Sequence, residues 1–151
     1  MSFAITLHLL SAVVWVGGMI FAHNSLRPAA VRVLEPPSRL QLWVQVFRRF
    51  FVLVWMSVVL ILATGYWMLF SYFGGFANAA VYIHIMHGAG IVMVLIYLYV
   101  FFGPYRRLRH AVIVQDYPLA GEHLNQIRKM VGINILIGLL VIVVASAGRY
   151  L

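Results

Sequence analysis

FFVLVWMSVVLILATGYWMLFSYFGGFANAAVYIHIMHGAGIVMVLIYLYVFFGPY, running from Phe50 to Tyr105, contains no Asp, Glu, Lys or Arg. A helix needs ~20 apolar residues to cross ~30 Å of hydrocarbon, so this stretch is too long for one span and long enough for two. Gly74-Gly75 and Asn78 divide it into spans of about 50–72 and 78–103. An uncharged run on its N-terminal side, 3–26, is closed by Arg27-Pro28. A fourth run is uncharged from Met130 to Gly148 and gives a span of about 130–150. Open sheet edges find no hydrogen-bond partners in lipid, so these runs are read as helices. The fold class expected is all-α: an integral membrane four-helix bundle forming a single transmembrane domain over residues 1–151.

Composition supports this. Hydrophobic residues make up 64% of the chain and charged residues 9%. No soluble domain of this length has an interior large enough for that much apolar surface, so the bilayer is the main partner. The net charge of +8 does not mark a nucleic-acid binder, because the basic residues cluster between apolar runs, where lipid headgroups lie. There is no cysteine, which excludes disulfides and thiolate metal sites. Glu35, Asp116 and Glu122 are the only acids, and all are read as lying in connections. No intramembrane carboxylate pair is available for proton relay. The chain opens Met1-Ser2 without a basic leader, so the first run is read as a retained helix.

Of the 11 basic residues, Arg27, Arg32, Arg39, Arg48 and Arg49 lie in one connection, and Arg106, Arg107, Arg109, Arg128 and Lys129 in another. Only Arg149 lies on the other side. The positive-inside rule puts both connections in the cytoplasm and both termini in the periplasm. Pro36-Pro37 marks a turn, with Ser38 as N-cap of a helix running from Arg39 into the second span. The third span is read as continuing past Arg106, with a break near Asp116-Tyr117-Pro118 and a new helix running into the fourth.

Histidine is the only ionisable residue type inside the spans, and an ionisable group there is a functional candidate. His110 and His123 fall in a basic connection and are read as solvated; His23 is read as interfacial. His8 lies ~7–8 Å inside the outer end of its helix, His84 ~6–9 Å inside its own, and His87 ~4–5 Å deeper. Histidines on two helices therefore reach one level. They serve there either as polar links between helices or as ligands, and the matched depth favours haem or metal ligation. His8 and His84 are the expected metal ligands, with His87 in reserve. Trp15 lies on the His8 face, and Gly88 and Gly90 follow the second pair. Trp15 and Gly88 are thus expected beside a flat cofactor, although small residues also serve close helix packing.

Leu7-His8-Leu9-Leu10 followed by Val13-Val14-Trp15-Val16-Gly17-Gly18 resembles the first helix of the copper-resistance protein D (CopD) family. It is also similar to the related HemJ family of protoporphyrinogen oxidases. Arg48-Arg49-Phe50-Phe51 through Trp55 to Thr64-Gly65 is CopD-like as well. Ile83-His84-Ile85-Met86-His87 resembles the HemJ stretch in which a lysine follows the histidine two residues later; here that position is Met86. The HemJ resemblance implies haem b in a four-helix bundle with His8 and His84 important, and the missing lysine speaks against protoporphyrinogen chemistry. The CopD resemblance implies copper handling in the bacterial inner membrane.

The leading expectation is a haem b redox protein, either moving electrons or oxidising a porphyrin or other small molecule near the periplasmic face. A quinone, a porphyrin or a periplasmic redox protein would be its partner, and an oligomer is compatible with the sequence. No catalytic residue is assigned. The alternative is copper binding or transport, since imidazole and thioether suit copper and 7 methionines are present. His8, Met19 and His23 share a broad stripe of the first helix.

The basic asymmetry generates a direct expectation. In intact cells, an impermeant thiol reagent is expected to label Ser2→Cys and to spare Ser38→Cys. The reverse pattern would invert the topology.

Overall fold

The computed structural model describes residues 1–150. These residues form helices and turns, with no strand among them. Four helices are long and apolar enough to cross a membrane: Ser2–Val33, Pro36–Ser71, Val81–Ile113 and Tyr117–Ala147. We label the first α1 and the second α2. The third is divided at Gly103 into α3 (Val81–Phe102) and α4 (Pro104–Ile113), and the last is α5 (Tyr117–Ala147).

Two expected boundaries are corrected. The first helix does not stop at Arg27-Pro28 but runs to Val33. Pro28 has no N–H, and its ring crowds the carbonyl one turn back. The helix absorbs this in a wide π-type turn, Ala22–Leu26, directly before it. A second π-type turn, Val13–Gly17, carries Trp15. The second helix starts at Pro36, not Arg39, and Ser38 is not its cap. Glu35 takes the cap position in extended backbone, and both prolines occupy the first turn, where an N–H has no helical partner anyway. Glu122 lies in the first turns of α5, in the helical connection expected ahead of the fourth apolar run.

The other turns follow from their residues. At Gly74 and Gly75, φ is 69° and 92°, a region that side chains with a Cβ avoid, and the chain reverses there into a short turn over Phe76–Asn78. Gly103 bends the third helix because Pro104 cannot continue the hydrogen-bond ladder. Asp116 caps α5, its carboxylate accepting from the Leu119 N–H at 3.2 Å.

At 1.5 Å per residue the 36-residue α2 is ~54 Å long, well beyond a ~30 Å hydrocarbon core. The excess lies at the end carrying the Arg-rich connections. There the start of α2 packs with α4 and the first turns of α5, and three of the most buried side chains of the chain, Leu108, Ile127 and Pro104, belong to this layer. Water surrounds such a layer, so burial is driven by the hydrophobic effect. Inside lipid that drive is absent and close contact must hold the helices.

The spans pack as two antiparallel hairpins, α1 with α2 and α3/α4 with α5. Aromatic side chains join them. Phe47 and Phe51 stack at 5.2 Å, Tyr105 stands edge-on to Phe51 at 4.9 Å, and Trp55 meets Tyr97 at 5.4 Å. Tyr97 also meets Trp15 edge-on at 6.2 Å, so α1, α2 and α3 converge on one phenol ring. Its buried hydroxyl donates to the Phe51 carbonyl at 3.1 Å. The Asn134 amide of α5 donates to the Met93 carbonyl of α3 at 3.3 Å, a second polar tie across the apolar core.

Gly138 marks the tightest three-way contact. A Cβ there would lie 2.9 Å from Val16 Cγ2 and 3.2 Å from Met93 Cε. Gly138→Leu is therefore expected to destabilise the bundle by about 1–3 kcal/mol. Gly17, with no heavy atom within 4 Å of a Cβ, provides the control. Gly17→Leu is expected to leave the thermal midpoint in detergent unchanged while Gly138→Leu lowers it.

Candidate metal site at the histidine level

α1 and α3 begin at the end that carries the termini, and α2 finishes there. His8 is six residues into α1 and His87 six into α3, which puts both ~9 Å below the helix starts. Thr64 and Tyr66 lie at a similar height on α2. His8 Nδ1 and Thr64 Oγ1 are 3.0 Å apart, and Tyr66 Oη and His87 Nε2 are 2.9 Å apart. The His8 ring also lies over Gly65, where a Cβ would be 3.3 Å from Cε1. His84 and His87 flank Phe76 at ring distances of 6.0 and 5.0 Å.

The proton on His8 can be assigned. Thr64 Oγ1 carries one proton and donates it to the Leu60 carbonyl one turn back. The hydroxyl can then only accept from His8, so Nδ1 carries the imidazole proton and Nε2 presents a lone pair. Fixing one ring nitrogen by an oxygen partner is how proteins aim the other at a metal.

The sites expected from sequence are distributed as follows. His84 and His87 share Phe76, and His8 belongs to the α1–α2 hairpin. Thr64 and Tyr66 are two residues apart, ~200° around a helix, so the contacts to His8 and to His87 leave α2 from opposite sides. Trp15 is buried against Tyr97 in the middle of the bundle, two helical turns inward of His8. Gly88 is exposed, with no heavy atom within 4 Å of a Cβ. Among the described residues no group of three or more His, Asp or Glu side chains is arranged to hold a metal ion.

Thr64, Tyr66 and Phe76 contribute contacts at this level that sequence pattern alone does not assign to a site. The register of α2 against α1 follows from two contacts. Thr64 reaches His8 on α1, and the Tyr72 hydroxyl accepts from the Met1 amino group at 2.6 Å. Thr64, Met68 and Tyr72 are spaced four apart, so Met68 lies on the α2 stripe that faces α1, about one turn (~6 Å) from Thr64 toward the end that carries the termini. Nothing local marks it, because the stripe acquires meaning only when α1 lies against it.

A family model, copper resistance protein D, matches residues 44–147, more than half of the chain. The chain belongs to the copper resistance protein D family. The matched segment of this CopD-family protein holds Thr64, Tyr66, Met68, His84 and His87, whereas His8 precedes it. The likeness to HemJ is not part of that match. No curated protein and no solved structure matches the chain.

The Thr64 hydroxyl has a specific consequence. Thr64→Val keeps the shape and removes the acceptor, so His8 loses its anchor. Stability is expected to fall by about 0.5–1 kcal/mol, the range for a hydrogen bond between membrane helices. His8 is also expected to react faster with diethyl pyrocarbonate, as read by peptide mass spectrometry.

Proposed function

We propose that this protein handles copper in the bacterial inner membrane, with both termini and the histidine level on the periplasmic side. Family membership points to copper, and one observation carries the reading to a residue. His8 Nδ1 lies 3.0 Å from the Thr64 hydroxyl, whose own proton goes to the Leu60 carbonyl, an arrangement that suits a lone pair on Nε2. Met68 stands on the facing stripe of α2 and offers a thioether. Imidazole and thioether together favour copper(I) over the harder divalent ions. His84 and His87 add imidazoles at a similar level on the other side of α2, suited to passing an ion to or from the periplasm.

The clustering of basic residues in the connections supports this orientation through the positive-inside rule, with these donors toward the outer face. Copper is cargo in this reading, and no redox step is assigned to the chain's own residues.

The test is competition for copper(I) between the purified protein and a chromogenic chelator. His8→Ala and Met68→Leu are each expected to weaken binding about tenfold or more, since each removes one of few donors. His110→Ala, at the Arg-rich end, is expected to bind as wild type. Unchanged affinity in His8→Ala overturns the assignment. A visible spectrum of the same preparation separates the haem reading. A Soret band lost in His8→Ala or in His84→Ala would replace copper by haem b held by that side chain.

A further inference from the structure

A cavity of about 320 Å³ opens at the Arg-rich end between α1, α2 and the start of α5. Four basic side chains line it: His23 and Arg27 from α1, Arg39 from α2 and Arg128 from α5. All four are half-buried. Trp43 and Phe47, one and two turns past Arg39 on α2, add apolar lining. No acidic side chain lines the cavity. The Asp116 carboxylate is engaged by the Leu119 N–H, and Glu35 and Glu122 are exposed at the cavity's border, next to the lining residues Pro36 and Gly121.

Positive charges converging on one partly enclosed space repel one another, and partial burial weakens the screening by water. A folded protein carries that cost where an anion returns it. Guanidinium groups match the paired oxygens of a phosphate, each forming two parallel hydrogen bonds. The level of the cavity narrows the choice. His23 and Arg27 stand where the apolar run of α1 ends, and Arg128 stands just before that of α5 begins. The cavity therefore lies at headgroup height, where basic pockets between helices meet anionic lipids. The indole and phenyl wall suits the glycerol and upper acyl carbons that follow a lipid phosphate.

We propose that this cavity binds the phosphate of an anionic phospholipid, held between α1, α2 and α5 by Arg27, Arg39 and Arg128. The site is independent of the copper reading and lies at the opposite end of the bundle. A soluble phosphate would use the same guanidinium chemistry, and the experiment distinguishes the two.

The full chain is delipidated in mild detergent and titrated with phosphatidylglycerol or phosphatidylcholine, with bound lipid counted by native mass spectrometry. Wild type is expected to prefer phosphatidylglycerol by at least about tenfold. The triple variant Arg27→Gln/Arg39→Gln/Arg128→Gln is expected to lose that preference. Arg48→Gln/Arg49→Gln/Arg107→Gln removes the same charge from exposed positions outside the cavity and is expected to keep it. Equal losses in the two variants would show diffuse charge attraction and overturn the site. Displacement of the lipid by millimolar inorganic phosphate would overturn the lipid as its ligand. Should the triple variant fail to fold, two measurements still decide. Wild type without preference between the lipids, or Arg39→Gln with undiminished preference, sinks the proposal.

Discussion

Backbone amides in hydrocarbon have no water to bond to, and the rest of this structure depends on that constraint. It forces the apolar runs into helices and makes breaks in them costly. Where Pro28 interrupts the ladder of α1, the chain widens into a π-type turn and stays helical. Where Gly103-Pro104 bends the third helix, the break falls toward the Arg-rich layer, where water supplies partners. The same constraint governs side chains. The Thr64 hydroxyl bonds to a carbonyl of its own helix, and only its remaining lone pairs reach His8. A side chain whose proton is already committed acts as an acceptor, and this favours the His8 tautomer protonated at Nδ1.

Lipid also withdraws the hydrophobic drive between helices. The apolar runs hold together by shape, through the Phe51–Tyr97–Trp55 cluster and the Gly138 contact, and through two polar ties from Tyr97 and Asn134. Beyond the bilayer the drive returns, and Leu108, Ile127 and Ala120 are buried almost completely. The molecule is thus a loosely enclosed membrane part set on a tighter aqueous layer. This division places the two functional candidates. The histidine level lies at the end where α2 and α3 are joined by a glycine turn. The arginine-lined cavity lies where α1, α2 and α5 cross from lipid into water.

Family membership and geometry bear on different residues. The match to copper resistance protein D covers 44–147 and says nothing of His8. The hydrogen-bond chain from Leu60 through Thr64 singles out His8 without reference to copper. The copper reading rests on the two together.

Composition along the chain is enough to set the four helical runs and the end of the bundle at which the basic residues gather. Both depend on local composition, since lipid selects apolar runs and headgroups select Arg and Lys. It also brought out His8, His84 and His87, because an ionisable residue inside an apolar run is visible without knowing its neighbours. Only the tertiary structure decided what those histidines meet. The choice between Thr64 and a facing histidine as the partner of His8 depends on which helix lies against α1, and apolar runs of similar composition do not encode their neighbours. Helix pairing also turned Arg27, Arg39 and Arg128 from a topology signal into the wall of one cavity. These three are distant along the chain, and their common space exists only after α1, α2 and α5 have packed.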